Sequence, residues 1–123
     1  MFEKGDILEA TYRELIKGKH YIVYYKGFSQ DDFIGGMITH SDVNGNFKMD
    51  ANHFEIHNAN GHLYKVTYDN SYLVQAKLIK PRDWGPFMKV GELSLAGIIF
   101  FENSIGELQS ETFANYYRKQ MNK

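Results

Sequence analysis

The chain contains no cysteine in its 123 residues, so disulfides, thiolate metal sites and cysteine nucleophiles are excluded. No window comes near the roughly 18 consecutive apolar residues that a membrane-spanning helix requires. The start Met1-Phe2-Glu3-Lys4-Gly5-Asp6 has no apolar signal core either, so a cytoplasmic location without membrane insertion is expected. Glycine-rich phosphate loops, nucleophile elbows and serine-triad spacings are missing as well. A formal net charge of −1 gives no diffuse basic surface for non-specific nucleic-acid binding. A local cationic groove stays open, because patches rather than totals bind phosphate. Internal repeats, low-complexity stretches and linkers are not found.

Aromatic weight is what the chain does have. Nine Tyr and nine Phe raise the aromatic share to 15% within a hydrophobic content of 43%. Such side chains pack well on pleated, half-buried surfaces, which favours a β-rich core. A chain of this length buries roughly two-thirds of its unfolded surface, so one core and one domain over residues 1–123 are expected.

Strand signals follow one another. Gly5-Asp6 precedes a first strand over Ile7–Tyr12, and the turn Lys17-Gly18-Lys19 leads into His20–Tyr25, rich in β-branched and aromatic residues. Phe33–Ser41 forms a third strand, and Asp42–Asn46 contains the hairpin dipeptide Asn44-Gly45. Asn60-Gly61 precedes Leu63–Tyr68, Ser71–Lys80 reads as a further strand, and Trp84-Gly85-Pro86 breaks it off. From Val90 the period changes. Leu95, Ile98, Ile99, Ile105 and Leu108 approximate one helical face with Ser94 as N-cap, although Leu95–Phe101 also suits a buried strand. Ser110–Lys123 reads as a C-terminal helix with Phe113, Tyr116 and Tyr117 on one face and Arg118, Lys119 and Lys123 in its last turns. The expected fold is mainly β with a C-terminal helix: a small antiparallel SH3-like barrel of five to seven strands.

Two segments carry candidate chemistry. The apolar strand Phe33–Ile38 ends in Thr39-His40-Ser41, and Gln75–Asp83 gathers cations and a carboxylate at another strand end. Hydroxyls, imidazole and cations at strand ends suit phosphodiester cleavage or phosphate binding, and they also occur on ordinary small barrels. Strand alternation puts Thr39 and Ser41 on one face and His40 on the other, unless the strand bends or ends at residue 40. It likewise sets Gln75 and Lys77 facing away from the core, with Val74, Ala76, Leu78 and Lys80 on the apolar face. An outward Lys77 would stabilise a phosphorane, and its replacement by Ala would leave the fold unchanged. His20 opens its strand beside the first turn, where its near-neutral pKa suits a general acid or base.

Metal chemistry is not expected. His53, Glu55 and His57 share a face if they lie on a strand, but they do not form the helical zinc motif, and a solvent face explains them. Asp42–Asn46 begins like a calcium loop, yet Phe47 stands where glycine is needed, so the hairpin reading is preferred.

Taken in order, these segments resemble the MazF/PemK (Kid) family of toxin endoribonucleases. The matching pieces are Gly5-Asp6-Ile7, then Gly18–Val23 where the family has a Gly-Arg-Pro-like lead-in, and Met37–Ser41 where it has an apolar strand ending in Thr-Ser. Further on, Gln75-Ala76-Lys77 stands in place of a Gln-apolar-Arg strand, and Val90–Ser94 in place of Ile-Gly-x-Leu before a helix. Lys77 replaces an arginine, and His20-Tyr21 replace the usual proline.

The resemblance implies a metal-independent and cofactor-free endoribonuclease, the toxin of a toxin–antitoxin pair. Its substrate would be single-stranded RNA, its inhibitor a small antitoxin protein and its product a 2′,3′-cyclic phosphate. The candidate catalytic residues are Lys77, Thr39, Ser41, His20 and His40, with Lys19, Gln75, Lys80 and Arg82 as RNA-binding residues. A homodimer is implied too, with a candidate interface around Met37, Trp84, Phe87 and Met88. The alternative is a non-catalytic SH3-like module that binds a protein through exposed aromatic residues.

Overall fold

The computed structural model describes residues 2–10, 21–42, 45–81 and 86–121. The turn at 17–19, the start of the second strand at His20, Asn44 of the hairpin signal and Trp84-Gly85 lie outside the described residues. In chain order the elements are β1 (Asp6–Ala10), β2 (Tyr21–Gly27), β3 (Asp32–Thr39), β4 (Phe47–Lys48), a 3-10 turn (Ala51–His53), β5 (Tyr72–Leu73), β6 (Lys77–Pro81), β7 (Phe87–Glu92), α1 (Leu95–Ile105), β8 (Ser110–Thr112) and α2 (Phe113–Met121). The fold is mainly β and antiparallel, with a C-terminal helix, as expected. Among the described residues the sheet has eight strands and is open, its path running β4-β5-β3-β2-β1-β7.

β3 is the hub. It pairs with β2 along one edge, from Tyr21↔Ile38 to Gly27↔Phe33. Its other edge is shared between β6, through Asp32 to Gly35, and β5, through Ile38 and Thr39. The expected continuous strand Ser71–Lys80 is therefore two strands. Val74–Ala76 interrupt it, with Val74 N donating to Met37 O at 2.8 Å and Ala76 N to Val74 O at 2.8 Å. β8 then adds to β6 in parallel, from Lys77↔Ser110 to Ile79↔Thr112. Those residues were expected to be helix.

Leu63–Tyr68 is not a strand. Its alternation is real, but against β7 it makes only a single backbone bond, Val66 N to Val90 O at 2.9 Å, while His57↔Leu63 and Phe54↔Leu93 are isolated bridges. This segment lies along the β7 edge without forming the ladder that would close the barrel.

Both faces of the central strands are covered. On one side Ile7, Val23, Ile38, Leu73, Val90 and Leu93 pack with Phe101 and Ile105 of α1. On the other, α2 lays Tyr116 and Phe113 over Met37, Val74, Ala76 and Leu78, and a further cluster joins Leu8, Ile22 and Phe33 to Tyr24 and Phe87. Met37 is thus core, not dimer interface as expected, because α2 occupies the space above it. Tyr117, expected on one face with Phe113 and Tyr116, is exposed.

Ser94 caps α1 as its sequence position foretold: its Oγ accepts from Gly97 N at 3.1 Å and donates to Asn52 O at 2.6 Å. The helical period was right, and the expected face holds for Ile98, Ile105 and Leu108, which pack on the core, but not for Leu95 and Ile99. Gly97, Phe101 and Ile105 face the core, whereas Leu95 and Ile99 are 75% and 53% exposed. The reason is a close approach: the carbonyl of His53 lies against Gly97 where a Cβ would sit. Exposed helix interiors gain about 1 kcal/mol from Gly→Ala, but Gly97→Ala should instead destabilise the fold by roughly 1–3 kcal/mol through overpacking. Urea unfolding would check this, and an unchanged or raised midpoint would refute the close approach as the determinant of helix phase.

Candidate functional site

At the end of β3 an open cleft of about 800 Å³ is lined by Thr39, His40 and Ser41 together with Tyr21, Lys65, Tyr68 and Tyr116. β3 ends at Thr39, which pairs with Tyr72, so the alternation that would send His40 to the opposite face no longer applies. All three polar residues therefore border one space. Ser41 N donates to Thr39 Oγ1 at 3.3 Å, and Asn46 Nδ2 donates to Ser41 O at 2.9 Å. Accepting through Oγ1 occupies a lone pair of Thr39 and not its proton, which can still be donated. Ser71, buried at the same cleft, accepts from Asp69 N at 3.1 Å and braces the loop that carries Asp69.

The cleft's cation is Lys65, which the sequence did not single out. Its Nζ lies 2.8 Å from Glu9 Oε2 of β1, an ion pair at the cleft wall. Tyr116, also missed as a site residue, arrives because α2 docks through it. The regular spacing of Phe113 and Tyr116 was the available signal, but it was read only as one face of the helix. Three tyrosine side chains thus border a space that also holds hydroxyls and an imidazole, a combination suited to stacking and hydrogen bonding with unpaired bases.

Lys77 does not join this cleft. The outward orientation expected from alternation is overturned: Lys77 is only 9% exposed, and its Nζ donates to Gly106 O at 2.6 Å, at the C-terminal cap of α1. It also sits 5.3 Å from the centre of the Tyr25 ring. Burial, and secondarily Lys26, lowers its pKa. A cation at a helix C-terminus complements the helix dipole, so this side chain has a structural task.

Lys80 is still deeper, 2% exposed, with Nζ 3.5 Å from Met37 Sδ and 4.8 Å from the Phe113 ring centre. Alternation had put it on the apolar face, and α2 covers it there. Its amine lies inside the protein and not on a surface that RNA reaches. Gln75 is exposed and borders a second cavity beside α2. Lys19, His20 and Arg82 lie outside the described residues.

The His53–His57 segment is put to other use. His53 stands in the 3-10 turn, stacks on Phe100 at 4.4 Å between ring centres, and its Nδ1 accepts from Asp50 N at 3.0 Å. Among the described residues no three His, Asp or Glu side chains come together as metal ligands would. Nor is any helix among the described residues long and apolar enough to cross a membrane. Comparison with protein-family models, with curated proteins and with solved structures gives no match.

Burial lowers the Lys80 pKa to about 8 from 10.5. Between those values the unfolded chain holds a proton that the folded chain has lost, so stability rises with pH there; below about 8 the penalty is present in full. Relative to Lys80→Met, the wild type should gain up to about 3 kcal/mol between pH 7 and pH 10.5. Denaturant unfolding of both proteins across that range isolates this group, and a stability difference independent of pH would contradict a protonated amine buried in this position.

Proposed function

We propose that this chain is a sequence-selective, metal-independent endoribonuclease, a divergent relative of the MazF/PemK toxins acting in the cytoplasm, with the cleft at the end of β3 as its RNA site. The observation that carries the reading is the convergence of Thr39, His40 and Ser41 on one open space bordered by Tyr21, Tyr68 and Tyr116. In the proposed reaction His40 removes the proton of a ribose 2′-OH. The oxygen attacks the adjacent phosphorus, the bond to the 5′-oxygen breaks, and that oxygen leaves with a proton taken from solvent, while the proton held by His40 returns to solvent. A 2′,3′-cyclic phosphate remains. The Thr39 hydroxyl, with Ser41 beside it, donates to the non-bridging oxygens as charge builds on them.

Lys77 takes no part from its position under α1, so the catalytic role expected for it passes to the β3 hydroxyls. His40→Gln should reduce cleavage of a mixed RNA in EDTA by about 100-fold or more, whereas Lys77→Met should lose stability but retain activity at temperatures where it is folded. Intact RNA at high wild-type excess, or cleavage restored only by added metal, would exclude this function. As a toxin the protein should arrest growth when produced alone and be neutralised by a small antitoxin partner.

A specific observation favours the second reading, a non-catalytic protein-binding module: the amine of Lys65, which lines the cleft, is paired with Glu9, and that of Lys77 is held away from the cleft by the Gly106 carbonyl, so neither is available for phosphate. Harmless overexpression of soluble protein would point to it.

We further propose a homodimer through the β7 edge, where Met88 is 56% exposed beside the half-buried Phe87. Met37 is excluded from that surface. Light scattering at micromolar concentration should give twice the monomer mass, and Met88→Lys should return it to the monomer value. A wild-type monomer under these conditions would rule the dimer out.

A further inference from the structure

We infer that the second cavity, beside α2, is a base-reading pocket for the same RNA strand and prefers adenine; this rests on the ribonuclease reading of the first cleft. The cavity measures about 440 Å³ and is bordered by Gln75, Gln109, Asn115 and Gln120, four amide side chains. Its two charged residues cancel: Lys119 Nζ lies 2.9 Å from Glu111 Oε1, and Asn115 Nδ2 donates to the same carboxylate oxygen at 2.8 Å. A phosphate or carboxylate finds no net charge to meet there. A neutral, planar group with several hydrogen-bonding positions does fit.

Gln120 supplies the second observation. Its Oε1 is buried and has no hydrogen-bond partner among the described residues. A buried amide oxygen without a donor is costly, and native structures keep few of them. Gln120 lines the cavity, and its side-chain amide carries this acceptor next to an N–H donor. Adenine carries the complementary pair, its N6 amino group beside a ring nitrogen acceptor, and Gln or Asn reading of adenine uses this pairing.

Two links connect the pocket to the first cleft. Tyr116 lines both spaces. Asn46, which lines the cleft, accepts through Oδ1 from Gln75 N at 3.4 Å, and Gly45 leaves the Gln75 amide room, since a Cβ there would lie 2.7 Å from its Oε1. A strand held at Thr39–Ser41 therefore has a neighbouring base beside the amides, and reading one base there would give the sequence selectivity proposed for the enzyme.

The test uses the full chain and fluorescein-labelled 2′-O-methyl hexanucleotides of A, C or U, which lack the attacking hydroxyl, in fluorescence anisotropy. The A hexamer should bind about tenfold or more tightly than the other two. Gln120→Leu and Gln75→Leu should each bring it to their level while leaving binding of the C hexamer unchanged. Gln75 is exposed, so its variant reports even if Gln120→Leu fails to fold. Equal binding of the three hexamers by wild type, or an adenine preference that survives in Gln75→Leu and any folded Gln120→Leu protein, overturns the pocket while leaving RNA binding in place. Selective binding of A without cleavage of any RNA keeps the pocket and removes the nuclease. No binding to any hexamer removes both.

Discussion

Burial of β3 on both faces and both edges is the constraint on which the rest of the structure depends. Three strands take their register from it, and its apolar residues need a cover on each side of the sheet. α1 supplies one cover through Phe101, which lies so close to Gly36 that a Cβ there would fall 2.7 Å from the ring. α2 supplies the other through Tyr116 over Met37. A strand enclosed in this way can reach solvent only at its end, and that is where Thr39, His40 and Ser41 emerge. The cleft is a consequence of the core and not an addition to it.

The same enclosure accounts for the two lysines of β6. In a sheet wet on one side, alternation would leave one of Lys77 and Lys80 in water. Here α1 and the Tyr25 ring lie over one face and α2 over the other, so both amines are inside. Lys77 finds a helix-end carbonyl, which compensates for lost hydration. Lys80 meets a sulfur and an aromatic face and shows the larger effect of burial. Cationic chemistry that sequence order suggested for the site is in this fold spent on holding helices to the sheet.

Local signals were legible in the sequence where local physics decides. Ser94 was readable because a cap needs only its own hydroxyl and the amide three residues on. The strands β2 and β3 were readable from runs of β-branched and aromatic residues, and Thr39-His40-Ser41 from its place at a strand end. Contacts distant in sequence were not readable. The phase of α1 depends on the His53 carbonyl meeting Gly97, and the failure of Leu63–Tyr68 to become a strand depends on what the β7 edge pairs with. Lys65 and Tyr116 reach the cleft from a loop and a helix, and where these dock is set by contacts distant in sequence. Alternation misjudged Lys77 because it assumes one solvated face, an assumption that fails when helices cover both.

One consequence concerns the order in which the chain is made. Met37, Val74, Ala76 and Leu78 are synthesised well before Phe113 and Tyr116, the residues that cover them. β8 and α2 are the last described elements in chain order. During translation the sheet therefore carries an uncovered apolar face, with the β6 edge that β8 later occupies still open. Such a face and edge are what holding chaperones bind and what aggregation exploits. The nascent protein is consequently most vulnerable in the interval before β8 and α2 emerge, and the cleft acquires its Tyr116 wall only when that interval closes.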